Sequence, residues 1–221
     1  MLRAILFDLD DTLLDHHSAA AAAVVDWAAE LGLAGGPDHV RARWAEASDR
    51  HYRRYQAREL TFVEQRRERV REFLGHNLDD AEADDQFGRY LTRYEAGWAV
   101  FPDVRPALGR VRAAGFAAAI LTNGDASHQA LKVRRLGLRD LPVMASSEFP
   151  AGKPDPRAFL GACARLGVAP AETLMVGDSL DNDVRGAEGA DLQAVLLDRH
   201  DQHPSYEGPR ITTLHDLPLP I

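Results

Sequence analysis

The sequence predicts a doubly wound α/β protein whose parallel sheet is interrupted once by an all-helical module, and three observations support this prediction. Short apolar runs alternate with helical patterns through residues 1–15 and 99–221, as in a parallel sheet with covering helices. Residues 16–98 show helical patterns and no convincing strand. Several apolar runs end in acidic or hydroxyl side chains, at the edge where such sheets bind ligands. We therefore expect an α/β core of residues 1–15 and 99–221, with 16–98 inserted as a helical domain.

The first strand runs directly into a group of acids. Ala4–Phe7 is uniformly apolar, which is typical of a strand buried on both faces. Asp8, Asp10 and Asp11 follow within four positions. Carboxylates this close repel one another unless a cation lies among them. Asp8 and Asp10 are therefore candidate functional residues, and Asp11 is interpreted as a loop acid beside the next helix.

Four helices are predicted in the inserted module. Ser18 is the expected N-cap of the first helix and Asp38 that of the second. Thr61 and Glu64 have the spacing of a capping box before the third. The predicted helices are Ala19–Leu31, a second ending near Tyr55, Phe62–Leu74, and Asp80–Gly97.

The rest of the chain alternates between strands and helices, which implies right-handed crossovers and a parallel sheet. Strands are predicted at Phe116–Leu121, Pro142–Ala145, Thr173–Val176 and Ala194–Leu197, with an edge strand near Arg210–Thr212. Helices are predicted at Asp103–Ala114, Ser127–Leu136, Pro156–Leu166 and Asp183–Gly189.

Two later segments carry groups that can hold a phosphate. Thr122 and Asn123 follow a buried strand, where a hydroxyl and a backbone N–H can bind a phosphoryl oxygen. Lys153 lies in a rigid loop between Gly152 and Pro154. A lone lysine is usually solvated, but the predicted acids nearby favour a fixed positive charge that binds phosphate.

A second acidic junction follows the strand at Thr173–Val176. Asp178 comes directly after Gly177, and Asp183 lies five residues further on. Asp183 is interpreted either as a helix N-cap or as part of a metal site. Mg²⁺ prefers oxygen ligands, and Asp8 with Asp178 would supply two of them. Asp181 is expected to point into solvent.

Composition excludes several classes of protein. The 221 residues are 45% hydrophobic and 27% charged, with a net charge of −8. This charge argues against a general nucleic-acid binder. Cys163 is the only cysteine, so an internal disulfide is excluded. We interpret Cys163 as a buried apolar residue. No secretion signal or membrane span is visible, so we expect a cytoplasmic protein with no membrane partner.

The segment Asp8-Leu9-Asp10-Asp11-Thr12 resembles the first motif of the haloacid dehalogenase superfamily, in its phosphatase branch. The later motifs occur in the superfamily's order, and residues 16–98 stand where its first type of helical cap is inserted. The resemblance implies Asp8 as nucleophile and Asp10 as general acid and base. It implies that Thr122, Asn123 and Lys153 bind phosphate, Lys153 also assisting catalysis. Mg²⁺ would rest on Asp8, the backbone carbonyl of Asp10, and Asp178, with Asp183 either binding it or supporting its ligands.

The resemblance therefore implies a Mg²⁺-dependent phosphomonoester hydrolase that acts on a small phosphorylated metabolite through an aspartyl-phosphate intermediate. A sugar phosphomutase uses the same acids, although Thr12 favours the phosphatase. A 2-haloacid dehalogenase uses no Mg²⁺ and usually lacks the second acid of the first motif. A binding protein without catalysis is a further alternative. The sequence does not identify the substrate, and it does not distinguish a monomer from a homodimer.

In the predicted cap, four side chains are candidates for contact with the leaving group. His16 and His17 lie near the hinge, and Arg66 and Arg67 lie on the third helix. For the two arginines, a solvated helix face is the preferred interpretation.

Overall fold

The computed structural model describes residues 1–219, so Pro220 and Ile221 of the predicted core lie outside the described residues. The chain forms two compact units. One combines Met1–Asp15 with the chain from Val100 onward, and the other is His16–Ala99. Among the described helices, none combines the length and the apolar character needed to cross a bilayer.

The first unit is a six-stranded parallel sheet with flanking helices, and the predicted fold class is confirmed. The strand order is β3-β2-β1-β4-β5-β6, the doubly wound arrangement with its switch point beside β1. Its strands are β1 (Ala4–Phe7), β2 (Ala117–Thr122), β3 (Val143–Ala145), β4 (Thr173–Gly177), β5 (Gln193–Leu197) and β6 (Arg210–Ile211). Its helices are α5 (Val104–Ala113), α6 (Ala126–Arg135), α7 (Pro156–Leu166) and α8 (Gly186–Glu188).

The central strand β1 is buried throughout. Phe7 pairs with Ile120 of β2 on one side and with Val176 of β4 on the other. The Asp8 N–H still donates to the Val176 carbonyl at 2.9 Å, so the ladder continues one residue beyond the strand. This register brings the carboxyl ends of three strands to the same edge of the sheet.

The apolar faces of the sheet and its helices form a continuous core. Leu6, Leu121 and Met175 pack with Phe159 of α7. Cys163 lies in the same cluster, and burial raises the pKa of its thiol. Cys163 is therefore the buried small residue that the sequence predicts, packed against Thr173 at 3.5 Å.

The second unit consists of four helices, and none of residues 16–98, all of them described, forms a strand. The helices are α1 (His16–Glu30), α2 (Pro37–Gln56), α3 (Phe62–Leu74) and α4 (Asp80–Ala96). Trp27, Trp44, Phe73 and Tyr90 form its aromatic centre, with Trp27 stacked on Phe73 at 5.3 Å between ring centroids. Such aromatic pairs contribute about 0.5–1.5 kcal/mol beyond the area they bury.

The predicted helix starts are partly confirmed. Thr61 and Glu64 form the predicted capping box at the start of α3. Two predicted caps are wrong, because α1 begins at His16, ahead of Ser18, and α2 begins at Pro37, ahead of Asp38. Pro37 starts α2 because its missing N–H costs nothing in the first turn. Asp38 is thus inside that turn, where its charge favours the positive end of the helix dipole.

Candidate active site

The predicted catalytic acid and lysine meet at the carboxyl edge of the sheet. Lys153 Nζ donates to Asp8 Oδ1 at 2.7 Å and to Asp183 Oδ1 at 2.5 Å. The Lys153 side chain is only 3% exposed. Burial alone would lower the pKa of Lys153, but the carboxylates of Asp183 and Asp8 outweigh that effect and raise it. Lys153 is therefore held as a fixed positive charge beside Asp8.

The loop that carries Lys153 is held by the side chain of Asn123. The Lys153 N–H donates to Asn123 Oδ1 at 2.9 Å, and Asn123 Nδ2 donates to the Lys153 carbonyl at 2.8 Å. A Cβ atom on Gly152 would lie 2.5 Å from Asn123 Oδ1, so this close approach requires glycine. The Asn123 side chain thus fixes the position of the Lys153 backbone, and sequence patterns do not predict this contact.

Three carboxylates converge beside this lysine. Ligand oxygens of Asp8, Asp178 and Asp183 all lie within 4.8 Å of one another. Burial, opposed in part by Lys153, raises the pKa of Asp8 to about 7. Burial, together with the charges of Asp8 and Asp183, raises the pKa of Asp178 to about 9. When all three carboxyl groups are ionised, the cluster therefore holds more negative charge than one lysine compensates.

Asp183 reaches the site from inside a helix, so its predicted place at a helix start is wrong. A π-helical turn spans Leu180–Arg185, and Ser179 is its N-cap. Asp183 Oδ2 accepts the Ser179 N–H at 3.0 Å. A Cβ atom on Gly177 would lie 2.2 Å from Asp183 Oδ2, so glycine is needed there. Asp181 in the same turn is exposed and pairs with Arg185, as expected of a solvated acid.

Asp178 is oriented by Thr12, a contact that the sequence analysis missed. The Asp178 N–H donates to Thr12 Oγ1 at 3.1 Å, and the Thr12 hydroxyl donates to Asp178 Oδ1 at 3.4 Å. Thr12 is fully buried, and its carbonyl accepts from Arg199 Nη2 at 2.8 Å. Arg199 in turn pairs with buried Asp103 at 2.8 Å. The loop after β1 is thereby fixed to the end of β4.

Asp10 is held apart from the three-carboxylate cluster. Lys132 Nζ lies 2.7 Å from both Asp10 oxygens, and Gln129 Nε2 lies 3.2 Å from Asp10 Oδ2. In this arrangement both Asp10 oxygens accept hydrogen bonds from Lys132, and Oδ2 accepts a further one from Gln129. The predicted metal contact of Asp10 runs through its backbone carbonyl and leaves this side chain available.

Gln129 and Lys132 were not singled out from the sequence, although a signal was present. They occupy helix α6, three residues apart, and share a buried face with Val133 and Leu136. This i, i+3, i+4, i+7 stripe is the pattern of a core-facing helix surface. Two polar side chains on such a stripe indicate buried polar partners.

Thr122 presents a hydroxyl at the same edge. Its Oγ1 accepts from Gln129 Nε2 at 2.7 Å. The hydroxyl hydrogen can then be donated elsewhere, and its contact with the Asn123 carbonyl is long, at 3.4 Å. Thr122 is buried at this edge, and its hydroxyl hydrogen is available to a closer acceptor than the Asn123 carbonyl.

His16, Arg66 and Arg67, three of the side chains predicted to contact the leaving group, have contacts within the helical unit. His16 Nδ1 lies 2.6 Å from the Tyr94 hydroxyl. Arg67 pairs with Asp84 at 2.7 Å and with Asp80, on the exposed face that the preferred interpretation describes. Arg66 stacks on Phe62, 4.0 Å from the ring centroid.

The donor set suits a hard divalent cation. Asp8, Asp178 and Asp183 offer only carboxylate oxygens, the ligand type that Mg²⁺ prefers. A divalent cation among them would also balance the excess negative charge. These three side chains would hold the ion, and it would supply positive charge next to a bound phosphoryl group.

We predict that the metal-free protein becomes less stable as the pH rises from about 5 to about 9. Asp8 and Asp178 have folded-state pKa values above the ordinary aspartate value, so the folded state binds protons that the unfolded state releases. Each group lowers the free energy of unfolding by up to about 1.4 kcal/mol per pH unit, Asp8 only up to its folded-state pKa of about 7 and Asp178 up to about 9. Urea unfolding in a chelator, at several pH values, measures the slope.

The matched variants for this experiment are Asp178→Asn and Asp181→Asn. Asp178→Asn is expected to flatten the slope because it removes one of the two titrating groups. Asp181→Asn should leave the slope unchanged because Asp181 is exposed and lies in a surface ion pair. A slope that is the same in Asp178→Asn and in the unmodified protein would contradict the prediction.

With this geometry established, comparison with known proteins defines the class. Residues 2–191 match the family model of haloacid dehalogenase-like hydrolases. The chain belongs to this family and is a hydrolase, which confirms the resemblance found in the first motif.

Particular relatives cover nearly the whole chain. A phosphoserine phosphatase from Thermus thermophilus is 34% identical over 222 residues, covering 90% of this chain and 89% of the relative. A phosphoglycolate phosphatase from Escherichia coli O157:H7 is 31% identical, covering 89% and 81%. The solved structure of a 2-haloacid dehalogenase from Pseudomonas syringae pv. Tomato superposes with a TM-score of 0.70 at 28% identity, covering 99% and 97%.

Proposed function

We propose that this protein is a Mg²⁺-dependent phosphomonoester hydrolase that acts on a small phosphorylated metabolite through an aspartyl-phosphate intermediate. The observation that carries the proposal is the convergence of Asp8, Asp178 and Asp183 around buried Lys153. Relatives named as phosphatases, each at least 31% identical along most of the chain, support the same activity.

In the first step, Asp8 attacks the phosphorus atom and the bond to the leaving oxygen breaks. Lys153 balances negative charge on the phosphoryl oxygens, and the Thr122 hydroxyl donates to one of them. Mg²⁺ bound by the three carboxylates would supply further positive charge there. Asp10 gives a proton to the departing oxygen.

In the second step, water opens the aspartyl-phosphate. Asp10 takes a proton from the water, which attacks phosphorus as the Asp8 carboxylate departs. The acceptor geometry of Asp10 beside Lys132 suits this step. Asp8 and Asp10 are then returned to their starting states, with inorganic phosphate as the second product.

The helical unit is proposed to act as a cap that excludes water and reads the leaving group. His16 and His17 are proposed as the better candidates for this contact because they stand at the start of the unit, near the predicted hinge, whereas Arg67 is on the helix face that is interpreted as solvated. The protein is proposed to act on a free small metabolite, with no nucleic acid or membrane as partner.

The proposal is tested by phosphate release from a panel of monoesters: phosphoserine, phosphoglycolate, a nucleoside monophosphate and hexose phosphates. We expect one or more of them to be hydrolysed with Mg²⁺. A chelator should lower the rate by about 100-fold or more, since charge neutralisation by a metal contributes several kcal/mol. Added Mg²⁺ should restore the rate.

The alternatives give different products in the same assay. Halide release from a 2-haloacid in the presence of chelator would identify a dehalogenase, an outcome that the similarity to a solved dehalogenase makes worth measuring. Isomerisation of a hexose 1-phosphate would identify a phosphomutase. Failure to release phosphate from every monoester would contradict the phosphatase function.

A further inference from the structure

A second buried lysine, Lys132, pairs with Asp10, the acid that lies outside the cluster of three carboxylates. The Lys132 side chain is 4% exposed, whereas the Asp10 side chain is 27% exposed. Lys132 therefore lies deeper in the protein than Asp10, whose carboxyl group is partly accessible to solvent. A buried ammonium is costly unless it is paired, so the two close contacts to Asp10 oxygens constrain both groups.

Gln129 joins this pair to the phosphate-binding strand end. Its Nε2 atom lies 2.7 Å from Thr122 Oγ1, 3.0 Å from the Asn123 carbonyl and 3.2 Å from Asp10 Oδ2. Gln129 and Lys132 are consecutive members of one helix face, since positions three apart are neighbours. Helix α6 thus holds the orientation of Asp10 relative to Thr122.

The two buried lysines pair with different acids. Lys153 contacts Asp8 and Asp183, and Lys132 contacts Asp10. A lysine that only balanced charge would need one contact to its carboxylate. Lys132 instead meets both Asp10 oxygens at equal distance, which fixes the direction of the carboxyl group as well as its position.

We propose that Lys132 is a positioning residue that holds the Asp10 carboxyl group in line for proton transfer to the leaving oxygen. This inference rests on the proposed phosphatase function and assigns a task to Lys132, which lies outside the residues that carry the family resemblance. As the phosphorus–oxygen bond breaks, its electron pair goes to the leaving oxygen, and the Asp10 proton neutralises it. Water later returns a proton to Asp10 as it cleaves the aspartyl-phosphate.

The test compares two leaving groups, because only a poor one needs the proton. In Lys132→Met, kcat/KM for an alkyl phosphate such as phosphoglycolate or phosphoserine should fall about 100-fold or more, the usual contribution of general acid catalysis. The kcat/KM for p-nitrophenyl phosphate should change only a few-fold, because nitrophenolate departs unprotonated. Its kcat should fall further than its kcat/KM, because water attack also needs Asp10.

Three further variants make the result specific. Asp10→Asn should show the same dependence on the leaving group, and the double variant should be little worse than either single one. Lys132→Arg keeps the charge but not the compact ammonium, and we expect the same dependence with a smaller loss. This variant decides the question if Lys132→Met does not fold. Arg134→Met, at an exposed position of the same helix, should match the unmodified protein.

Two negative outcomes are distinguishable. If the folded Lys132 variants lose the same factor with both leaving groups, or if the double variant is fully additive, the positioning role is overturned. If the unmodified protein hydrolyses neither substrate, the phosphatase function itself is overturned.

Discussion

Replacing Asp8 with asparagine is expected to abolish turnover in a correctly folded protein. The amide has no anionic oxygen to attack phosphorus, so no aspartyl-phosphate can form. We expect kcat to fall by about 10⁴-fold or more, as is usual when a nucleophile is removed. Phosphate release from the best monoester of the panel, together with trapping of phosphorylated protein, measures both consequences.

The fold should survive the Asp8→Asn substitution. Burial already raises the pKa of Asp8 to about 7, so a neutral amide of the same shape removes an unfavourable buried charge above that pH. Asp181→Asn is the matched control because Asp181 is exposed and lies in a surface ion pair with Arg185. Turnover by Asp8→Asn at the rate of this control would rule out Asp8 as nucleophile.

Replacing Lys153 with methionine should have the second largest effect. Methionine keeps much of the apolar stem but removes the charge that lies 2.7 Å from Asp8 and 2.5 Å from Asp183. The approach of a carboxylate to a phosphoryl dianion then lacks its compensation. We expect kcat/KM to fall about 100- to 1,000-fold, the range for loss of one preorganised electrostatic group.

Arg157→Met is the control for Lys153→Met, because it removes a positive charge from the following helix at an exposed site. Its kinetic constants should equal those of the unmodified protein. Raising the Mg²⁺ concentration should not rescue Lys153→Met, since added metal does not replace the positive charge that Lys153 places beside Asp8 and Asp183. Activity of Lys153→Met within about threefold of the Arg157→Met control would contradict the electrostatic role.

Local sequence patterns predicted the elements well where one strong signal was present. The uniformly apolar Ala4–Phe7 is a buried central strand, and Thr61 with Glu64 forms the capping box at the start of α3. The patterns were wrong at Ser18 and Asp38, since each of these residues lies inside the helix it was expected to start. A polar side chain near a helix start can serve as a cap or lie in the first turn, and composition does not separate the two.

The candidate site was predicted in part. Asp8, Lys153, Asp178 and Asp183 were expected together. In the structure the ligand oxygens of the three acids lie within 4.8 Å of one another, and Lys153 contacts Asp8 and Asp183. The partners that orient them were not predicted. Thr12 on Asp178 and Lys132 on Asp10 are side chains from loops and helices distant in sequence, separated by 166 and 122 residues.

Local patterns predicted the element order, the parallel sheet and the acids that end its strands, because periodicity and strand-end chemistry are local properties. Which lysine pairs with which acid became evident only in the folded chain. Ion pairing depends on distances of a few ångströms between segments that the chain keeps far apart, and burial then raises or lowers each pKa. Lys132 and Lys153 contact different acids for that reason, although no local sequence pattern distinguishes the two lysines.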